Sequence, residues 1–379
     1  MFEYQKTNRY FAQIAGTLED IGIRELKKLG ATEVSKEYRG AYFSADKEAL
    51  YRINYQSAIL QRVLAPIAKF NCHSTKYLYK MAMKIDWTKL IDLRGTFAIF
   101  SKVNNSHIHH SKYAALKLKD AIVDQFREKY DSRPNVDTKN PDVWINLFID
   151  KNFATINIDT SGGSLHRRKY RENAVSAPMQ ETLAAGMIEL SGWSGKTPLY
   201  DPFCGSGTIL AESLLKYSKI PPAFLRNNFG FQKLPDYDSS IFQRVINEAD
   251  KNIIKPCNNL ISGCDISSKA VSFAKSNMQN IKFGNLINIS TKAFNQISKL
   301  ENYTIITNPP FGVRMGDESQ AKKTYKEFGD FLKQRCTGST AYIYFGNRKL
   351  IGSLGLKPTW KKVLKNGPLD GRLVKVEIY

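Results

Sequence analysis

The chain has 379 residues, and 56 Lys+Arg against 35 Asp+Glu give it a net charge of +21 and a pI near 9.6. With 42% hydrophobic and 12% aromatic residues it is composed like a folded protein of two or three domains, without low-complexity runs or internal repeats. No stretch approaches the roughly 18 unbroken apolar residues of a membrane helix, so the positive charge points to nucleic acid ahead of a membrane surface. Five scattered cysteines (Cys72, Cys204, Cys257, Cys264 and Cys336) include no pair at zinc-finger spacing, which predicts a reducing, cytoplasmic setting and no structural metal. The N-terminus "MFEYQKTNRYFAQ" has no apolar signal core, so export is not expected.

Residues 1–64 read as a small α/β unit. "RYFAQIAG" is a strand, and "TLEDIGIRELKKLG" is a helix with Thr17 as its N-cap and Gly30 as its stop. "GAYFSAD" is a second strand, and "KEALYRINYQSAILQRVL" reads as an amphipathic helix.

Residues 65–165 form a second unit. "GTFAIFSKVN" is a strand, followed by the helix "SKYAALKLKDAIVDQFREKY". Leu116, Ile122, Val123 and Phe126 are expected on its apolar side, and Lys112 and Lys117 elsewhere as candidate RNA contacts. "DVWINLFID" alternates with Val143, Ile145, Leu147 and Ile149 on one face, and "NFATINIDT" returns after a turn at Asp150–Asn152 as a hairpin. His107, His109 and His110 lie within four residues, but without a Cys or acidic partner at ligand spacing they do not make a metal site.

From "SGGSLHRRKYR" onward, over 166–379, strands alternate with helices, which predicts a parallel sheet covered on both faces. "LYDPFCGSGTILAESLL" is a strand, a glycine turn and a helix beginning at Thr208. Gly205 and Gly207 let the backbone approach a ligand, and the helix N-terminus points at it. No Lys follows Gly207, so this is not a phosphate-binding P-loop. Position 210 is Leu, so the dinucleotide fingerprint fails too. What remains is Asp201, a carboxylate suited to an ammonium group, and Asp265 at the end of "GCDIS", placed to accept the hydroxyls of a ribose. A ligand with an amino acid end and a ribose is S-adenosylmethionine.

These motifs resemble those of the THUMP-domain RNA methyltransferases, in particular the bacterial group that methylates guanine N2 in large-subunit (23S) ribosomal RNA. "DPFCGSGT" resembles that group's methionine-binding motif, "NPPFG.R" its catalytic motif, "LHRRKYR" with "APMQETLAAGMI" the segment joining its two halves, and "NGPLDGRLVKVEIY" its closing hairpin. The resemblance spans essentially the whole chain. It implies a ferredoxin-like subdomain over 1–64, a THUMP RNA-binding domain over 65–165 and a Rossmann-like methyltransferase domain over 166–379. It also implies S-adenosylmethionine contacts at Pro178, Asp201, Pro202, Phe203, Cys204, Gly205, Ser206, Gly207, Thr208, Asp265 and Ile266, and an RNA contact at Arg314. Where the family usually holds the adenine with an acidic residue, this chain has Lys292, and Thr291, Asn295 or a backbone N–H takes over. Arg168, Tyr170 and Arg171, which lead into the catalytic domain, are expected at the mouth of the site, holding RNA.

In "YTIITNPPFG" a hydrophobic strand stops at two prolines that can donate no ladder hydrogen bond. An exocyclic amino group on a purine is a poor nucleophile until its nitrogen pyramidalises. The resemblance implies that Asn308 and a backbone carbonyl, that of Pro309, accept its two hydrogens. Pro309 and Pro310 fix that carbonyl in advance, Phe311 stacks the flipped base, and Gly312 admits it. Cys204 and Cys264 read as packing residues rather than nucleophiles. Transfer RNA guanine-N2 methylation, adenine-N6 methylation of DNA or RNA, and a non-catalytic RNA-binding role remain as alternatives.

Overall fold

The structure, a computed structural model, describes residues 1–173, 178–311, 318–367 and 369–379. Two residues named above, Gly312 and Arg314, lie outside the described residues. The chain folds as two compact units.

The first comprises residues 1–14, 23–165 and 226–246. Its strands are β1 (Arg9–Ile14), β2 (Thr32–Glu37), β3 (Gly40–Ser44), β4 (Leu60–Asn71), β5 (Thr96–Asn104), β6 (Asn135–Val136), β7 (Val143–Asp150) and β8 (Phe153–Asp159). They make one continuous sheet in the order β2-β3-β1-β4-β8-β7-β5-β6. β4 pairs with β1 through its first half and with β8 through its second, so a single strand runs across residues 64 and 65. The helices are α1 (Glu3–Thr7), α2 (Glu19–Lys28), α3 (Lys47–Gln56), α4 (Thr75–Ala82) and α5 (Ser111–Tyr130). Residues 226–246 join this unit through aromatic packing: Phe231 stacks on Tyr51 of α3 with ring centroids 4.4 Å apart.

The structure departs from the sequence reading at several points here. The helix expected over 47–64 ends at Gln56, and β4 begins four residues later. The Glu25 carboxylate accepts the N–H groups of Ala58 and Ile59, which takes them out of any helical ladder. Thr17 does not cap α2; it sits at φ 79° and its N–H donates to the Glu19 carboxylate. The sequence pattern marks neither β2 nor α4. β2 is an edge strand exposed along nearly its whole length, so it carries no apolar alternation to detect. Leu116 is 51% exposed, because α5 buries Ala114, Leu118, Ala121, Ile122, Val123 and Phe126 instead. The hairpin β7–β8 matches its expected register, with Val143, Ile145, Leu147 and Ile149 all buried.

The second unit comprises residues 15–22, 166–225 and 247–379. Its strands are β9 (Leu199–Asp201), β10 (Ile261–Asp265), β11 (Asn288–Thr291), β12 (Thr304–Thr307), β13 (Thr340–Phe345), β14 (Trp360–Val363) and β15 (Arg372–Glu377), in the order β11-β10-β9-β12-β13-β15-β14. The first five of these positions are parallel, and β15 and β14 close the sheet antiparallel. Its helices are α6 (Glu181–Ser191), α7 (Thr208–Ser218), α9 (Ser268–Gln279) and α10 (Glu318–Arg335), while α8 (Ser239–Lys251) begins in the first unit and ends in the second. From β9 the chain steps outward through β10 and β11, then returns to β12 on the other side. The crevice beyond the carboxyl ends of β9 and β12 is therefore the switch point where an open α/β sheet binds its ligand.

Candidate active site

The turn after β9 is built on two left-handed glycines, Gly205 (φ 53°) and Gly207 (φ 85°). A Cβ on Gly207 would also lie 3.0 Å from Met278 Cε and 3.2 Å from Ala274 Cβ, so a side chain there would crowd α9 as well as strain the left-handed backbone. Asp265, at the end of β10, holds the turn: its Oδ2 accepts from Gly205 N–H at 2.9 Å and its Oδ1 from Ser267 N–H at 2.9 Å. Cys204 N–H adds a bond to Cys264 O at 2.9 Å. Beyond Asp265, Ile266 is 76% exposed, an apolar surface beside a half-buried carboxylate. Lys292 N–H is spent on the Asp265 carbonyl at 3.1 Å.

Asp201 has a different place from the one the sequence suggested. Its carboxylate is 1% exposed, and Oδ1 accepts from Phe203 N–H at 3.1 Å and from the Thr307 hydroxyl at 2.6 Å. It shapes the turn and presents almost nothing to a ligand ammonium. Burial pushes its pKa up to about 7, against the lowering effect of its two hydrogen bonds. Pro202, Ser206 and Thr208 are buried in the same turn, and Phe203 packs on Phe294 and Phe328 with centroids 5.2 and 5.1 Å apart. Burial raises the Cys204 thiol well above its usual range and the Cys264 thiol to about 11, which leaves no thiolate for nucleophilic work.

The expected RNA contacts at the joining segment are corrected. Arg168 and Tyr170 are 2% and 0% exposed. Arg168 lies 3.5 Å from the Glu212 carboxylate of α7, and the Tyr170 hydroxyl donates to the same carboxylate at 3.0 Å. Arg171 pairs with Glu181 at 3.2 Å and donates to Thr208 Oγ1 and Met179 O. These side chains lash the segment to the start and middle of α7, because a cation this deep needs an acid beside it. The same job falls to Asn277 of α9, which the sequence did not reveal. It is fully buried; its Oδ1 accepts from Glu172 and Asn173 N–H, and its Nδ2 donates to Asn173 O and to Ser206 O in the turn. Pro178 is half-buried in the same segment. In the first unit, Lys112 is exposed, whereas Lys117 pairs with Asp120 at 3.3 Å. Among the described residues no group of three or more His, Cys, Asp or Glu is placed to hold a metal.

Beyond β12 stands Asn308. Its Oδ1 is buried and has no hydrogen-bond partner among the described residues, an uncommon state for a side-chain oxygen. Pro309 beside it is buried and Pro310 exposed. Phe311 is half-buried against the core of the second unit, and its ring lies on Gly346, where a Cβ would come within 2.6 Å of it. The turn after β9 and the Asn308 segment after β12 thus meet at one crevice, joined by the Thr307–Asp201 bond.

Comparison with known proteins agrees with this geometry. A family described as RMKL-like, methyltransferase domain, matches residues 168–375. A THUMP domain matches 72–159, and an RlmL ferredoxin-like domain matches 9–64. A Synechocystis protein provisionally named as an RNA methyltransferase is 37% identical over 98% of this chain and 97% of its own. A Shewanella protein named ribosomal RNA large subunit methyltransferase K/L is 36% identical over 95% of this chain, and the match spans 52% of the Shewanella protein, so the chain covers about half the length of such relatives. Among solved structures, SMU.472, provisionally named a methyltransferase and solved with S-adenosylhomocysteine, superposes with a TM-score of 0.85 at 26% identity, covering 98% of both chains. With its ferredoxin-like and THUMP domains ahead of the switch-point crevice, this chain belongs to the RMKL-like methyltransferase family.

Proposed function

We propose that the protein methylates the exocyclic N2 amino group of a guanosine in RNA, most naturally large-subunit ribosomal RNA, with S-adenosylmethionine as the methyl donor. Residues 166–379 supply the catalytic domain, behind a ferredoxin-like subdomain over 1–64 and a THUMP domain over 65–165. The observation that carries the reading is the buried, unpartnered Oδ1 of Asn308 at the switch point. An acceptor left open in such a place is poised for a donor that arrives with the substrate.

When bound, S-adenosylmethionine supplies an electrophilic methyl group on a sulfonium centre. The residues present fit it: Asp265 for the ribose hydroxyls, the exposed Ile266 for the adenine face, and the N-terminus of α7 with the turn from Pro202 to Thr208 for the amino acid end. Asn308 Oδ1 and the Pro309 carbonyl accept the two hydrogens of the amino group and hold its lone pair toward the crevice. Phe311 offers a face to the base once it is unstacked from the RNA. No strong base is needed before transfer, since the proton can leave from the methylated amine afterwards.

Mass spectrometry of ribosomal and transfer RNA nucleosides tests the reading in a deletion strain and in the same strain complemented with the wild-type chain or with Asn308→Ala. Loss of one N2-methylguanosine that only the wild-type chain restores supports it. A change in N6-methyladenosine instead assigns the site to adenine, and unchanged nucleosides overturn both.

A further inference from the structure

The eight-stranded sheet of the first unit buries one face in its core; alternation assigns the other. On that second face Phe11 of β1 stands opposite Tyr42 of β3 and Leu64 of β4. Pro66 stands opposite Asn157 of β8, Asn157 opposite Asn146 of β7, and Asn146 opposite Phe100 of β5. All of these line one trough of about 750 Å³, to which no helical residue contributes.

Its lining is aromatic and cationic together. Tyr38 is 82% and Tyr42 37% exposed, and Phe100 and Phe148 are half-buried. The Arg9 guanidinium lies 5.9 Å from the Tyr42 ring centroid. Arg62 lies 4.6 Å from the Phe100 centroid and 5.3 Å from that of Trp144, and is paired with the buried Asp159. Arg9, Arg39, Arg62, Lys69 and Lys102 line the trough against Glu37 and Asp150, so its balance is positive. Open rings interleaved with cations suit bases that stack while their phosphates are neutralised. A duplex keeps its base faces inside and would use only the cations. A second copy of this chain would bring the same +21 charge against the surface.

We infer that this sheet face binds an unpaired stretch of RNA, with bases stacked on Tyr42 and Phe148 and phosphates at Arg9, Lys69 and Lys102. The inference rests on the RNA substrate proposed above and moves the expected contact from Lys112 and Lys117 on α5 to the sheet. Tyr42 and Phe148 are four strands apart in the order β3-β1-β4-β8-β7. At about 4.8 Å per strand that is roughly 19 Å, the reach of several unpaired nucleotides.

The test measures anisotropy of a fluorescein-labelled, mixed-sequence RNA single strand on the full chain, with a blunt duplex of the same sequence for comparison. The single strand should bind more tightly than the duplex. Tyr42→Ala and Phe148→Ala should each weaken single-strand binding roughly tenfold and leave duplex binding unchanged, while Tyr42→Phe binds like the parent. Parental thermal melts and unchanged duplex binding on the same preparations show that the variants fold. Full single-strand affinity in both alanine variants overturns the inference, as does a loss confined to Lys112→Ala and Lys117→Ala. A shift in sedimentation mass with unchanged RNA affinity also overturns it and assigns the face to a second copy. The assay reads no methyl transfer, so a chain that stacks RNA here yet methylates no guanine sinks the proposed function and leaves this inference standing.

Discussion

The Thr307 hydroxyl donates to Asp201 Oδ1 at 2.6 Å, tying the last residue of β12 to the last residue of β9. One bond therefore couples the glycine turn to the segment that carries Asn308, across the switch point. Thr307→Val keeps the shape and removes the donor. Leaving the buried carboxylate one partner short should lower stability by about 1–3 kcal/mol. It should also slow methyl transfer more than it weakens cofactor binding, because Asn308 is the next residue along. Thr307→Ser should restore both. Thermal melts and single-turnover rates check this, and a Thr307→Val chain with parental rates would separate the two ends of the crevice.

Asp201 also makes stability depend on pH. Its folded pKa is raised to about 7 by burial, from 3.8 in an open chain. Between those values the folded state holds a proton that the unfolded state has lost, so stability must fall as pH rises through that window. Asp201→Asn removes the titrating group and keeps an acceptor for Thr307 and Phe203. Its melting temperature relative to the parent should therefore climb between about pH 4 and pH 7. A constant difference over that range would mean that Asp201 stays ionised in the folded protein.

Asp265 holds the turn through Gly205 N–H, and in the proposed function it also takes the ribose. Asp265→Ala should weaken S-adenosylmethionine binding roughly ten- to a hundredfold, the effect of losing a charge-assisted contact of about 1.5–3 kcal/mol. RNA affinity should hardly move. Calorimetry showing parental cofactor affinity would remove Asp265 from the ribose.

What the sequence showed and what it hid follow one physical division. Gly205, Gly207, Asp265 and Asn308 were legible because each breaks a local rule: a left-handed turn, an acid closing a buried strand, an amide and two prolines ending another. Asn277 and Thr307 broke no local rule, an amide in a helix and a Thr in a strand. Their roles exist only through partners about 70 and 106 residues away in the chain. Arg168 and Tyr170 were misread for the same reason. A basic, aromatic stretch in a positive chain reads as an RNA contact until Glu212 of α7 is found beside it. The eight-stranded sheet was only partly visible, since the start of β4 lay inside an apparent helix that Glu25 breaks by taking the N–H groups of Ala58 and Ile59, just before the strand.

Gly346 is the neighbour that sets Phe311. A Cβ there would lie 2.6–2.7 Å from three atoms of the Phe311 ring, so the ring must move if Gly346 becomes Ala. If the ring holds the base as proposed, turnover at saturating RNA should fall less than turnover at low RNA. Stacking of this kind is worth about 1–3 kcal/mol per base, and Gly346→Ala should lose a comparable part of it. Phe311→Ala should match the defect, and Gly346→Ala on top of Phe311→Ala should add little. Additive losses in the double variant would show that Gly346 acts elsewhere.

Asn308 is where the mechanism is most exposed to disproof. Its oxygen is buried and unpartnered among the described residues, which is a standing cost to the folded protein. Replacing Asn308 by Ala should relieve that cost, so the variant should be no less stable than the parent, a result opposite to that of a structural residue. The same change should slow methyl transfer roughly a hundred- to a thousandfold while S-adenosylmethionine binds as before, because the contact is made only as the amino group pyramidalises. Asn308→Asp keeps an acceptor and should retain part of the rate. The pair of readouts decides: a slow but stable Asn308→Ala assigns the oxygen to the substrate, whereas a fast one returns the two prolines to the role of an ordinary turn.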